Sequence, residues 1–311
     1  MHPAFSILFF TTLAGSAQGL VVALALASLF GVPMAPGFLS AGLLVAAVLL
    51  MAGLGASFLH LGQKMRAWRA VLMWRTSWMS REVIILPAFI GLVGLWWLLE
   101  RAGVAMRFGA LFPVLAIIGA IALWYSTAMI YACLRFIEEW AHPLTIVNFT
   151  LIGLASGLLL ACALAALLGG GADMIAATGT SALGVTLVAW VTRIVSLRRN
   201  AGIRHKSTLQ SATGIQSATL VQKSMGMSAG AFNTREFFHG ASQASMRNAR
   251  LGFQLLAFAI PALLMLWGIT SQSAWPWVLA VLVQAPGLIA ERWVFFAQAK
   301  HPQNLYYQVV S

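Results

Sequence analysis

The sequence predicts an all-α, polytopic membrane protein with eight transmembrane helices and both termini in the cytoplasm. Three observations predict it. Apolar residues make up 60% of the 311 and charged residues only 8%, against about 25% charged in an average soluble domain. The apolar residues fall in continuous runs long enough to cross a bilayer, which takes about 20 residues per helix. Once these runs are threaded through a membrane, all of the 19 Lys and Arg residues except Arg101 and Arg107 lie on one side. A transmembrane barrel is excluded, because its strands alternate in polarity over segments of about ten residues. No separate soluble domain fits between the spans, so 1–311 reads as a single integral membrane domain.

The first span covers about 3–30. It lacks a basic n-region and exceeds the roughly 7–15 apolar residues of a signal peptide core, so it reads as a retained helix. Gly15 and Gly19 within it form a small-xxx-small pair suited to close helix packing. The second span, about 37–60, closes on His60, and the third, about 80–99, opens with Glu82. The fourth, about 108–136, ends beside Arg135, Glu138 and Glu139, whose spacing suits i,i+3 and i,i+4 ion pairs. The fifth, about 143–168, carries a second small pair, Gly153 and Gly157, and the sixth covers about 174–197. In the seventh, about 246–270, Pro261 predicts a kink whose freed backbone groups are satisfied by neighbours. Gln254 in this span and Gln18 in the first are expected to bond across helices. The eighth covers about 275–296.

An even number of spans places both termini, and the second, fourth and sixth connections, on the cation-rich side. The positive-inside bias makes that side cytoplasmic. Much of the +12 formal charge reads as topological, with Arg193, Arg198 and Arg199 meeting anionic headgroups at about 1 kcal/mol each. The basic surface also suits an acidic soluble partner. No nucleic-acid-binding module is present, so no nucleic-acid partner is expected. The sixth connection, 198–245, is the longest polar stretch. Connections beyond about 12–15 residues tend to be functional or disordered, and Phe232, Phe237 and Phe238 beside Asn233, Arg235 and His239 suit an ordered contact. This loop is expected to dock a partner or close a site.

Few groups are available for chemistry. Cys133 and Cys162 are the two cysteines, so an iron–sulfur cluster, which takes about four thiolates, cannot be built in this chain; they read as packing residues. Of the histidines, only His60 and His142 approach membrane depth, each at a span end. A bis-histidine haem between them is strained, so no haem and no metal site are expected. His60 and Glu82, in contrast, sit at the cytoplasmic edges of adjacent antiparallel helices and can face one another. Ionisable groups at the membrane default to a functional reading, and imidazole is the side chain best able to exchange protons near neutral pH. The bland alternative is that His60 caps its helix while Glu82 pairs with Arg81 or another basic neighbour.

Six stretches carry a family resemblance: HPAFSILFFTTLAGSAQG at the start, HLGQKMRAWRA followed by WRTSWMSRE, STLQSATGIQ with AFNTREFFHG, and ERWVFFAQAKHPQNLYY near the end. They resemble the membrane anchors of dimethyl sulfoxide reductase-type molybdoenzymes. The resemblance implies an anchor whose eight helices form two groups of four. It implies partners docked on the cytoplasmic face: an iron–sulfur electron-transfer protein and a catalytic protein that holds molybdopterin. The anchor would exchange electrons with the quinone pool, ubiquinone or menaquinone, of a bacterial inner membrane. His60 and Glu82 match the family's quinol-site histidine and glutamate, and Arg66 fits the pattern after the histidine. In this reading His60 trades a proton with the quinone, Glu82 relays it to the cytoplasm, and Arg66 or Arg75 orients the pair, as general acid–base chemistry requires.

Orientation discriminates within the family. The polar loop, His60 and Glu82 all lie on the cytoplasmic side, which is similar to the anchors of cytoplasmic sulfite-oxidising enzymes (sulfite dehydrogenases). The alternative is the anchor of a sulfoxide reductase that oxidises menaquinol. Two readings from other classes are a purely structural tether and a secondary transporter. A transporter would place charged sites near the bilayer midplane, and no Asp, Glu, Lys or Arg falls there.

Overall fold

The computed structural model describes residues 4–59, 61–204, 208–221, 241–271 and 273–301. Among them are eight helices long and apolar enough to cross a membrane. These are α1 (Phe5–Leu29), α2 (Phe38–Leu59), α3 (Trp78–Arg101), α4 (Leu111–Ala132), α5 (Pro143–Leu168), α6 (Ala172–Ala201), α7 (Gln243–Ser271) and α8 (Trp275–Ala297). At 1.5 Å per residue even a 22-residue helix such as α2 spans about 33 Å, the thickness of a hydrocarbon core. Local signals set several ends. The Ser77 hydroxyl accepts the Ser80 N–H at the start of α3, and the Ser242 hydroxyl accepts the Ser245 N–H at the start of α7. Gly169, at φ 68°, closes α5 in the left-handed region where a side chain is disfavoured. Two 3₁₀ helices, Lys64–Met73 and Ala105–Phe108, occupy the α2–α3 and α3–α4 connections.

Helix α1 is the core of the molecule: 72% of its apolar window is buried, against 28% for α3. It packs on α2, α4, α5 and α8, while α2 meets α3, α3 meets α4, and α5 through α8 pack in succession with α8 returning to α5. The α1–α5 contact follows directly from the two predicted glycine pairs, which meet each other. A Cβ on Gly157 would lie 2.1 Å from the Gly19 carbonyl carbon, and one on Gly19 would lie 2.2 Å from the Gly153 oxygen. Only hydrogen fits there. Near the start of α8, the buried Trp277 fills the space left by Gly179 and Gly268.

Several expectations change. Helix α4 stops at Ala132, so Arg135, Glu138 and Glu139 lie in turns and helical spacing does not govern them. Gln18 and Gln254 donate within their own helices, to the Ala14 and Arg250 oxygens, and not to neighbouring ones. A helical carbonyl has a second lone pair, so a glutamine side chain four residues on can donate to it without needing a partner helix. Pro261 follows a π-helical turn at Leu255–Ala259, which accommodates the missing N–H. In the long loop, α6 runs on to Ala201 and a short helix forms at Leu209–Thr213, with Thr208 and Ser211 as a capping pair. Phe232, Asn233, Arg235, Phe237, Phe238 and His239 lie outside the described residues.

Candidate functional site at the cation-rich end

Glu82 is the fifth residue of α3, and the helix turns its carboxylate inward, where it is 8% exposed. There the buried Thr127 of α4 donates its hydroxyl to Glu82 Oε1. A buried carboxylate is costly without a donor, and this bond supplies one. Arg81 turns the other way. Its guanidinium lies 4.0 Å from the Trp78 ring and donates to the Trp74 and Arg75 oxygens, tying the preceding 3₁₀ segment to α3. The alternative pairing of Glu82 with Arg81 is therefore not formed.

Of the other site residues predicted from sequence, Arg66 and Arg75 are exposed, and neither contacts Glu82 among the described residues. Arg75 stands 5.3 Å from the Trp74 ring. His60 lies outside the described residues, as do His2, His205 and His239. His142 is the N-cap of α5, its Nδ1 accepting the Leu144 N–H at 3.2 Å. Its pKa is lowered by burial and then by the nearby positive Arg199, so it carries out a structural task as a neutral ring.

One turn beyond Thr127, Tyr131 enters an aromatic cluster with Trp140, Phe149, Phe295 and Phe296, ring centroids 5.2–5.7 Å from its own. The Trp140 indole donates to the Phe295 oxygen at 3.0 Å, fixing the end of α8 against the α4–α5 turn. Arg292 of α8 lies 3.8 Å from the centre of the Phe149 ring.

Beyond Arg292 lies an ionic cluster that sequence reasoning missed. Arg193 Nε of α6 donates to Glu291 Oε1 at 2.6 Å, and Arg292 Nη1 is 3.5 Å from Glu291 Oε2. Arg193 and Glu291 are each 1% exposed, and the Arg193 guanidinium also approaches the Phe253 ring of α7 at 5.5 Å. Beside it, Thr192 donates to Asn148 Oδ1 across α6 and α5 at 3.0 Å. All four helices of the second half contribute to this one layer. Arg193 is therefore not a headgroup cation: it sits two turns inside the end of α6, too deep to reach the surface when a carboxylate is nearer. Arg199 is likewise engaged with protein, donating to the Glu138 oxygen at 2.7 Å. A lone carboxylate in an apolar span, Glu291 beside Arg292, was the available signal, but its partner is 98 residues away.

The cation-rich end thus holds three buried carboxylates: Glu82 and Glu291, each with a donor from another helix and joined by an aromatic and cationic layer, and Glu139, which accepts the Lys300 N–H at 3.4 Å. No group of three or more His, Cys, Asp or Glu residues that could hold a metal occurs among the described residues. Fold and site together define a multi-pass membrane protein whose buried charged groups, Glu82, Glu139, Arg193, Glu291 and Arg292, gather at one end of its helix bundle.

The chain belongs to the family described as "DMSO reductase anchor subunit (DmsC)", which matches residues 1–297. It is also similar to a sulfite dehydrogenase subunit of Allochromatium vinosum, with 48% identity over an alignment of 328 residues covering 100% of both chains. The family resemblance seen in the sequence is thereby shown over nearly the whole chain.

Proposed function

We propose that this chain is the quinone-reactive anchor of a sulfite-oxidising molybdoenzyme of a bacterial inner membrane, with its cation-rich face in the cytoplasm. The observation that carries this reading is Glu82, a carboxylate buried at the cation-rich end of a helix bundle and held by Thr127. Its placement suits a proton-exchanging group beside a membrane-soluble carrier. The full-length relative named for sulfite dehydrogenation supports the choice of substrate, and the charge asymmetry supports the orientation. Contacts running α1–α2–α3–α4–α1 and α5–α6–α7–α8–α5 support a grouping of the helices in fours.

A buried carboxylate with an imidazole-bearing residue at the edge of the adjacent span supports a quinone as the carrier. A quinone, when bound, supplies two-electron, two-proton redox chemistry. His60, the residue after Leu59 in the sequence, would hold a proton on its imidazole for exchange with a bound quinone. Glu82 accepts or returns that proton, its Oε1 steadied by the Thr127 hydroxyl. Arg66 or Arg75, both exposed at the rim, would orient the pair from the aqueous side. Electrons come from an iron–sulfur partner protein, docked on this face through 198–245 together with the molybdopterin-bearing catalytic partner. The chain itself acts as the membrane and quinone-facing element.

The test is sulfite-dependent quinone reduction by the purified complex, compared with H60A and E82Q variants. Loss of quinone reduction with retained partner proteins and retained sulfite oxidation toward an artificial acceptor is expected. Undiminished quinone reduction in both variants would reduce the chain to a tether, and sulfoxide-dependent quinol oxidation without sulfite turnover would assign the reverse direction.

A further inference from the structure

The α2–α3 connection has a register that the quinone reading does not use. Lys64–Met73 is a 3₁₀ helix, in which residues three apart eclipse one another and ten residues extend about 20 Å. The period of three sorts the segment into ridges. Met65, Trp68 and Val71, continuing to Trp74 at the C-cap, form an apolar ridge, and all four are exposed, Met65 at 89% and Trp68 at 66%. Arg66 and Arg69 form the next ridge, continued by Arg75 and interrupted by Leu72. The third ridge includes Ala67 and Ala70, which are half-buried against the protein. Small residues thus face inward, while a tryptophan-bearing ridge and an arginine ridge face outward side by side.

In an α-helix the same ridge would drift by about 60° every three residues, sweeping half the circumference between Met65 and Trp74 and drawing Arg75 in among them. The 3₁₀ form separates them cleanly from the arginines. The segment is also confined, because α2 ends at Leu59 and α3 begins at Trp78. With apolar spans attached at both ends, it cannot leave the membrane boundary. The Arg81 bonds to the Trp74 and Arg75 oxygens hold its exit against α3.

We infer that residues 64–75 form an in-plane interfacial element, with the Met65, Trp68, Val71 and Trp74 ridge seated at the acyl boundary and the arginine ridge, centred on Arg69, binding the phosphates of anionic phospholipids. Charge complementarity selects the headgroup: four cations in twelve residues, with no acid among them, face a surface whose anionic lipids carry phosphate. Tryptophan suits the same depth, being apolar in its body and polar at its N–H. An acidic protein would meet the arginine ridge but leave the apolar one uncovered. The inference goes beyond the quinone reading and does not depend on it.

The test uses the full chain in nanodiscs, with Cys133, which is exposed, changed to serine and Cys162, which is buried, left in place. Single cysteines at Met65, Trp68, Val71 and Trp74, and at Arg69 and Leu72, carry a nitroxide, and collision with lipid-soluble oxygen is compared with collision with a water-soluble nickel chelate. In discs containing phosphatidylglycerol the oxygen-to-nickel ratio is expected to be roughly threefold or more higher at Trp68 and Val71 than at Arg69, with a period of three residues. Should a tryptophan variant fail to assemble, Met65 and Val71 report on the same ridge. In phosphatidylcholine discs the difference is expected to shrink, and inorganic phosphate added to them should not restore it. High nickel accessibility at every position, or restoration by free phosphate, would overturn the inference. So would shielding of Trp68 from both probes in the assembled complex, which would mean that protein covers the ridge.

Discussion

Gln284 of α8 donates its side-chain N–H to the Ala257 oxygen of α7 at 3.2 Å. Ala257 lies in the π-helical turn ahead of Pro261, where the proline's missing N–H leaves the main-chain acceptors one donor short. A neighbouring helix has replaced a lost main-chain bond, and Gly287 makes this possible, because a Cβ there would lie 2.3 Å from the Ala257 nitrogen.

Gln284→Leu should therefore destabilise the α7–α8 pair by about 1–3 kcal/mol, the cost of an unsatisfied buried carbonyl. Adding Pro261→Ala should recover much of the loss, because a backbone donor returns at that position. Unfolding of both variants in mild detergent, analysed as a double-mutant cycle, checks this; strict additivity would argue against the replacement.

The α1–α5 crossing makes a paired prediction from two glycines of the same stretch. Gly157→Ala forces a methyl into the Gly19 backbone and should cost about 1–3 kcal/mol or more, since neither helix backbone can yield locally. At Gly15 the nearest atom to a new Cβ is 3.8 Å away, so Gly15→Ala should be neutral or slightly stabilising through helix propensity. Folded yield and thermal unfolding of the two variants provide the comparison.

The Arg193–Glu291–Arg292 cluster predicts an asymmetry between single and paired changes. Glu291→Leu leaves two buried guanidinium groups without a counter-charge and should cost about 3–5 kcal/mol. Replacing Arg193 with Met in the same chain should restore part of that stability, since Arg292 keeps its stack on Phe149. Unfolding free energies of the single and double variants decide it.

Thr127→Val keeps the shape of the side chain but removes the donor to Glu82. Quinone reduction by the complex should fall several-fold while partner binding is retained. Equal activity would show that the hydroxyl does not steady the carboxylate for proton exchange.

At His142 the prediction concerns pH. Its folded pKa lies below the ordinary imidazole value because of burial and the Arg199 charge, so the unfolded chain takes up a proton first as pH falls. The contribution to stability is fully present above the ordinary imidazole value, declines as pH drops through the window between the unfolded and folded values, and is absent below the folded one. His142→Asn keeps an N-cap acceptor and should flatten that decline, measured as unfolding temperature across acidic to neutral pH.

Much of this architecture was legible in the sequence. Each span was placed to within a few residues because hydropathy is a local sum and a bilayer imposes one length on every helix. The expected overrun of α4 past Ala132 was an error of the same local kind: Cys133, Leu134 and Phe136 are apolar, yet they lie in turns that carry the chain to His142. Glu82 stood out in the sequence because a carboxylate opening an apolar span is conspicuous. Thr127 and Tyr131 did not, since a hydroxyl within a span looks the same whether it serves its own helix or another.

Composition, run length and charge distribution determined by themselves that this is an eight-span membrane protein with one basic face, because those quantities add along the chain without reference to any partner. Tertiary structure alone decided that Gly19 meets Gly157, that Thr127 serves Glu82 from 45 residues away, and that Arg193 is an interior cation. The reason is rotational. These helices are apolar nearly all round, so no stripe in the sequence records which face turns inward; depth and azimuth are set only when backbones close against one another.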